Sequence, residues 1–299
     1  HPVEVDQYAD SKKAHAVGNL TKNPLYHKMV QTVTGVPELH DGQLTHIASG
    51  PFENEDTCLA CHGTVIEVRG MKTITTSEGE EIEVPDLVNW PNHGVGRVNP
   101  DGSLGACTAC HPRHSFSLEV ARKPFTCAQC HLAPDTPAWE VYRESKHGNI
   151  MLSLGDKWNW DAVPWVPGRD FTAPTCATCH NSLLADEDGN ELVPRTHDFG
   201  ARLWVRIFGL PYAHPQPKHG ATHVIRNADD QPLPTTFDGE PASDFLISAD
   251  EQTARRELMR RVCVNCHGTD FADQHFARLD RVVKESNEMT RLATDLLKQ

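Results

Sequence analysis

The pattern Cys-x-x-Cys-His occurs five times, at Cys58, Cys61 and His62; Cys107, Cys110 and His111; Cys127, Cys130 and His131; Cys176, Cys179 and His180; and Cys263, Cys266 and His267. Together these motifs use all ten cysteines. Two thiols at this spacing add to both vinyl groups of one haem, and the adjoining imidazole reaches its iron from the proximal side. Other uses of paired cysteines fit less well. Zinc ribbons need pairs of pairs, and five is odd. A thioredoxin-type site occurs once, in a βαβ setting that is missing here. A disulfide framework explains the even cysteine count but leaves five histidines unexplained. The expected cofactor is therefore five covalent haems c, with no zinc, flavin or nucleotide motif beside them.

The chain has 18 histidines, so thirteen remain for the second axial position once five serve as proximal ligands. A haem with two imidazole ligands is closed and suits electron transfer, whereas an open distal side admits a substrate. His114 lies three residues after His111, and on a helical turn both would point to one side, so His114 would serve a neighbouring haem. His147 in Glu144–Gly148 and His197 in Thr196–Asp198 are the next candidates. His15, His27, His46, His93, His214, His219, His223 and His275 compete for the remainder. For each of these, a solvated histidine is the plainer reading.

The elements that must carry these groups read as mainly α with long loops and a small β element. Haems are expected to form much of the core. Apolar content is only 38%, at about 60 residues per motif, so porphyrin faces can supply buried surface that side chains do not. Alternation over Thr64–Val68 and Glu81–Val84 predicts two strands, with turns at Gly70 and at Glu78-Gly79. A helix is expected over Ala138–His147, stopped by Gly148, and another from Ala249 into the fifth motif. From Phe271 to Leu297, helical spacing of Phe276, Leu279, Val282, Val283, Met289, Leu292 and Leu296 predicts a long helix. Its apolar stripe is read as packing on haem or core rather than as a partner surface. Two regions are expected: a haem-free segment over 1–57 and a pentahaem body over 58–299 that ends in this helix.

A net charge of −13 argues against nucleic acid and for a redox protein partner with a basic docking patch. No apolar run approaches membrane-spanning length. Haem attachment takes place outside the cytoplasm, and a chain that starts at His1 fits removal of an export signal. A periplasmic or extracellular location is expected.

Longer runs are more specific. Trp90–Gly105 leads into Cys107; Pro112–Ser117, Ala121–Pro124, Cys130–Asp135, Tyr142–Gly148, Ala173–Cys176 and Thr196–Asp198 follow. Over roughly residues 55–285 the chain resembles the octahaem hydroxylamine oxidoreductase family. The resemblance implies that the five motifs match the last five of the family's eight. Cys58–His62 then corresponds to the catalytic haem, His93 to the distal-pocket histidine, and His114, His147 and His197 to distal ligands of electron-transfer haems. It also implies a mostly helical fold and a homo-oligomer, a trimer; a filament is a further possibility for a carrier. Two departures stand out. Residues 1–57 contain no cysteine, so three haem sites are missing, and no tyrosine follows His267 to cross-link a neighbouring subunit's haem. Family members without that tyrosine are more usually assigned to reduction of nitrite or hydroxylamine. Asn92 stands where an acidic neighbour of His93 is expected.

Two functions follow. In the first, the chain is an electron carrier whose five irons are all closed. In the second, it is a small reductase of nitrite or hydroxylamine with an open first haem. His93 would then act as general acid and Arg97 would hold the anionic substrate. The plainer roles are a structural histidine or ligand for His93 and a propionate partner for Arg97. The carrier is the favoured reading, because every haem supports it whichever state the first one adopts.

Overall fold

The computed structural model describes residues 1–133, 136–207 and 212–299. Pro134 and Asp135 of the run after Cys130 lie outside them. Along the chain come α1 (Pro2–Asp10), α2 (Ala16–Thr21), α3 (Pro24–Thr34), β1 (Val36–His40), β2 (Gln43–Ile47), α4 (Pro51–Asn54), α5 (Ala60–His62), β3 (Glu67–Thr75) and β4 (Glu81–Val88). Then follow α6 (Leu118–Arg122), α7 (Pro124–Ala128), α8 (Ala138–Glu144), α9 (Lys146–Leu154), α10 (Cys176–His180), β5 (Leu184–Ala185), β6 (Glu191–Val193), β7 (Val205–Arg206), β8 (His214–Pro215), α11 (Ala249–Val264) and α12 (Thr269–Leu297). The fold is mainly α, and its strands form antiparallel two-stranded ribbons.

Contacts divide the chain into two units, His1–Lys12 with Cys110–Gln299, and Lys13–Ala109. The expected boundary at residue 57 falls inside the second of these.

In the larger unit the core is aromatic. Met151, Trp158, Trp160, Trp165, Phe171, Leu184, Val193 and Val262 are buried together. Arg122 lies 4.6 Å from the centre of the Trp165 ring and donates to the carbonyls of Trp160 and Ala162. A buried guanidinium is tolerated because carbonyls and a π face replace its water. Burial nevertheless lowers its pKa to about 10.

Four local expectations need correction. Ala138–His147 is not one helix: the chain breaks at Ser145, whose extended backbone ends α8 and caps α9 by accepting from the Gly148 amide at 3.1 Å. Gly148 does not stop a helix; it allows close approach, since a Cβ there would lie 2.1 Å from the Tyr142 carbonyl. Gly70 is not a turn either. It sits inside β3 with φ +138°, at the register shift between Val68 and Met71, where a bulge needs a residue without Cβ. The actual turn is at Gly79, whose amide donates to Thr76 at 3.0 Å.

The fourth correction concerns α12. Its inner face is fixed by buried Phe276, by the Arg256–Asp280 and Arg260–Asp273 ion pairs, and by Asn287, which exchanges hydrogen bonds with the Ala213 backbone. Leu279 and Val283 are half-buried, but Val282, Met289, Leu292 and Leu296 are exposed. The stripe therefore divides between two faces.

Candidate functional site

The first motif lies in the smaller unit, on a wide helical turn over Glu55–Leu59 that runs into α5. Two glycine-rich strands of backbone meet there. The Val95 amide donates to the Cys61 carbonyl at 2.9 Å and the Gly96 amide to the His62 carbonyl at 3.1 Å. A Cβ on Gly63 would fall 2.3 Å from the Arg97 nitrogen, and one on Gly94 would fall 2.2 Å from the Gly63 nitrogen. Only glycine lets these chains touch. Asn92 closes the loop from both ends of its amide, donating to Leu59 and accepting from Gly94. An aspartate could keep only the second bond, which gives a physical reason for the amide.

His93 rides on this loop and is exposed. Arg97 donates from Nε to Asn99 at 2.8 Å and from Nη1 to the Asn92 carbonyl at 3.0 Å, and stacks 5.3 Å from the Trp90 ring centre. These bonds tie Arg97 into its own loop. The Nδ1 atom of His62 lies 3.4 Å from the Ala16 carbonyl. With Nδ1–H donated there, Nε2 carries the lone pair that a metal requires. Nothing in the sequence pointed to Ala16, because a backbone carbonyl has no side-chain signature.

The fourth motif is α10. Thr175 caps it reciprocally with Thr178, and Arg202, 1% exposed, gathers the carbonyls of Thr178, Cys179, Ser182 and Pro194 behind it. Burial pushes the Cys179 thiol up to about 12 and lowers Arg202 to about 10. Arg202 was missed in the sequence because its partners are backbone groups.

The third motif begins at the end of α7, and the fifth begins in the last turn of α11. In both, the histidine amide donates back to the carbonyl of the first cysteine, at 2.9 and 3.0 Å. All five motif histidines are partly buried. Among the described residues no three His, Cys, Asp or Glu side chains gather as a metal cluster.

The structure brings some distal candidates to motif histidines. His147 faces His267, with ring centres 6.0 Å apart and planes inclined at 48°. Metal–imidazole bonds of about 2 Å place two rings on opposite sides of one iron with centres roughly 6 Å apart. Partial burial, then the neighbouring His267 and His275, lowers the His147 pKa and keeps it a neutral ligand type. His197 is lowered by burial first, and His111 is among the charged groups close enough to act on it. Its Nδ1 and that of His111 are buried with no hydrogen-bond partner. His111 stacks on Phe116 at 4.2 Å.

His114 does not follow the helical-turn expectation. Residues 112–116 form a turn in which His114 has φ +72°, and its side chain is exposed. His214 is buried with Nε2 enclosed and Nδ1 2.7 Å from the Pro215 carbonyl, so it offers no face to a porphyrin. Phe116, Phe125 and Leu132 flank the second and third motifs and are exposed, forming apolar surface of the kind a porphyrin covers. Thiol pairs, facing imidazoles and exposed apolar flanks together fit haem c. They define a multihaem c-type cytochrome.

Comparison with known proteins agrees. A family model described as "Seven times multi-haem cytochrome CxxCH" matches residues 99–196. A probable nitrite reductase–hydroxylamine oxidoreductase fusion protein of Kuenenia stuttgartiensis is 31% identical over 262 residues, covering 77% of this chain and 29% of that protein. A solved structure described as a hypothetical multihaem protein superposes with TM-score 0.87 at 42% identity, covering 99% of this chain and 63% of the other. A reducing HAO-like protein complex of the same organism is 26% identical with TM-score 0.47, over 65% of this chain and 36% of that one. The chain belongs to the multihaem cytochromes related to hydroxylamine oxidoreductase, and it spans less than two thirds of the length of these relatives. No helix among the described residues is long and apolar enough to cross a membrane.

Proposed function

We propose that the chain binds five haems c, one per motif, and passes electrons among them outside the cytoplasm. Each haem supplies a one-electron iron couple when bound. The protein's part is to hold each thiol pair on a short helical turn, to fix each imidazole, and to close the irons against exogenous ligands. The observation that carries this reading is His147 opposite His267 at 6.0 Å, a spacing suited to a closed two-imidazole iron. His197, close enough to His111 for the two to influence each other, is a second candidate ligand, and His114 is retained as a ligand to a neighbouring haem. Export follows from covalent attachment, and the −13 charge suits a redox partner with a basic docking patch.

A second reading is supported by the first motif. There, glycine contacts lock the loop bearing His93 and Arg97 onto Cys61 and His62. A loop held this firmly is suited to positioning His93 as a proton donor to bound nitrite or hydroxylamine beside an open iron. The engaged N–H groups of Arg97 favour a loop-bracing role over substrate binding.

Intact-mass measurement counts the covalent haems, and five are expected. EPR and visible spectra of the oxidised protein, with and without nitrite or hydroxylamine, separate the two readings. Five low-spin haems that ignore both ligands establish the carrier, whereas one high-spin haem that responds establishes the reductase.

A further inference from the structure

Residues 112–116 follow the second motif and close a turn, in which the Phe116 amide donates to the Pro112 carbonyl at 3.0 Å. Two residues of this turn are left-handed, His114 at φ +72° and Phe116 at φ +49°. Apart from glycine, the other described residues at positive φ are Asp41, Asn89 and Asp230, whose short polar side chains tolerate that region. A bulky aromatic residue does not, so the backbone at Phe116 is strained. Burial does not offset the strain, because the side chain is 46% exposed.

The strained backbone secures a contact. The Phe116 ring lies flat against the His111 imidazole, with ring centres 4.2 Å apart and planes inclined at 1°. His1 stacks on Phe116 as well, at 5.6 Å and 16°. A proximal imidazole is ordinarily held in one plane by a hydrogen bond from its second nitrogen, as Nδ1 of His62 is directed to the Ala16 carbonyl at 3.4 Å. At His111 that nitrogen is buried with no hydrogen-bond partner among the described residues, and the backbone of Phe116 and Ser117 comes near without completing a bond. A flat ring on its face restricts rotation of the imidazole sterically instead. The fifth motif makes the same contact from a regular helix, where Phe271 in the first turn of α12 stacks on His267 at 4.4 Å and 21°.

We infer that Phe116 is a positioning residue for the second haem, fixing the plane of the His111 imidazole where a hydrogen bond is missing. The inference rests on reading Cys107–His111 as a haem site. The plane of an axial imidazole decides how its π orbitals mix with the iron d orbitals, so it sets the g values and the reduction potential of a low-spin haem.

The test compares EPR spectra and stepwise redox titrations of the haem-loaded wild type and three variants. Phe116→Leu keeps apolar bulk without a flat face. It is expected to shift and broaden one low-spin signal and to move one midpoint potential, with the other haems unchanged. Phe116→Tyr keeps the stacked ring and should reproduce the wild-type spectrum. Phe116→Gly relieves the left-handed strain, so the melting temperature should hold while the same signal shifts. Mass mapping of the peptide containing Cys107 and Cys110 reports the haem at the second motif. With that haem present, a Phe116→Leu spectrum identical to wild type overturns the inference, and so does a Phe116→Tyr spectrum that departs as far as the Phe116→Leu one. A Phe116→Gly protein that melts lower with an unshifted spectrum shows a residue that only packs, and overturns it too. A wild-type peptide without haem overturns the haem reading and the inference with it.

Discussion

The imidazoles of His147 and His267 face each other with ring centres 6.0 Å apart, although one opens α9 and the other follows α11. Removing one partner tests what the space between them is for. His147→Ala is expected to convert one haem from low to high spin, seen as a new axial EPR signal, with the other haems unchanged. His275, close enough to influence His147, becomes the residue most able to substitute. The double variant His147→Ala with His275→Ala should therefore show the high-spin signal at least as strongly.

His197 offers the parallel case at the second motif. Its backbone amide is held by Gln7 at 2.9 Å, and its Nδ1 is buried without a partner. His197→Ala is expected to open a different haem from His147→Ala. The two high-spin signals should add in the double variant, because distinct irons titrate independently. One signal shared by both variants would refute the separate assignments.

Gly94 tests the first motif. Alanine there would place a Cβ 2.2 Å from the Gly63 nitrogen, backbone that cannot give way. Gly94→Ala is expected to separate the Asn92–Val98 segment from the motif at a cost of about 2 kcal/mol or more. If the reductase reading holds, nitrite-induced spectral change disappears while the total haem count stays the same.

Arg202 supports the fourth motif from behind, through four carbonyls. Arg202→Met leaves those acceptors buried without donors and is expected to destabilise the protein by about 3 kcal/mol. Arg202→Lys should recover only part, because an ammonium cannot fork across four oxygens. Thermal melts followed at the Soret band measure both.

Lys12 gives a pH dependence of known sign. Burial, and then Arg206, lowers its pKa to about 8, while the Nζ donates to Gln216 at 2.7 Å. The folded state thus binds fewer protons than the unfolded state between about pH 8 and 10.4. Lys12 should make the melting temperature rise with pH across that window, relative to the Lys12→Met variant. Below pH 8 the difference between the two proteins should be constant.

Some of this protein was decided by the sequence alone. Five Cys-x-x-Cys-His motifs are local: five consecutive residues on one turn bring two thiols and an imidazole together whatever surrounds them. The long C-terminal helix was equally legible, because its 3.6-residue periodicity is a local property, and so was the turn at Gly79. Tertiary structure decided the rest. That His147 reaches His267 while His214 is sealed in depends on packing between segments far apart in the chain, which no spacing encodes. The left-handed backbone at His114 defeated the helical-turn argument, since a single residue at positive φ redirects every side chain after it. The two stripes of α12 were indistinguishable in sequence, because hydrophobicity marks what avoids water but not which neighbour supplies the cover. Asp280, Asn287 and the Ala213 backbone settled which side turned inward, through hydrogen bonds and an ion pair that only the folded chain brings within reach.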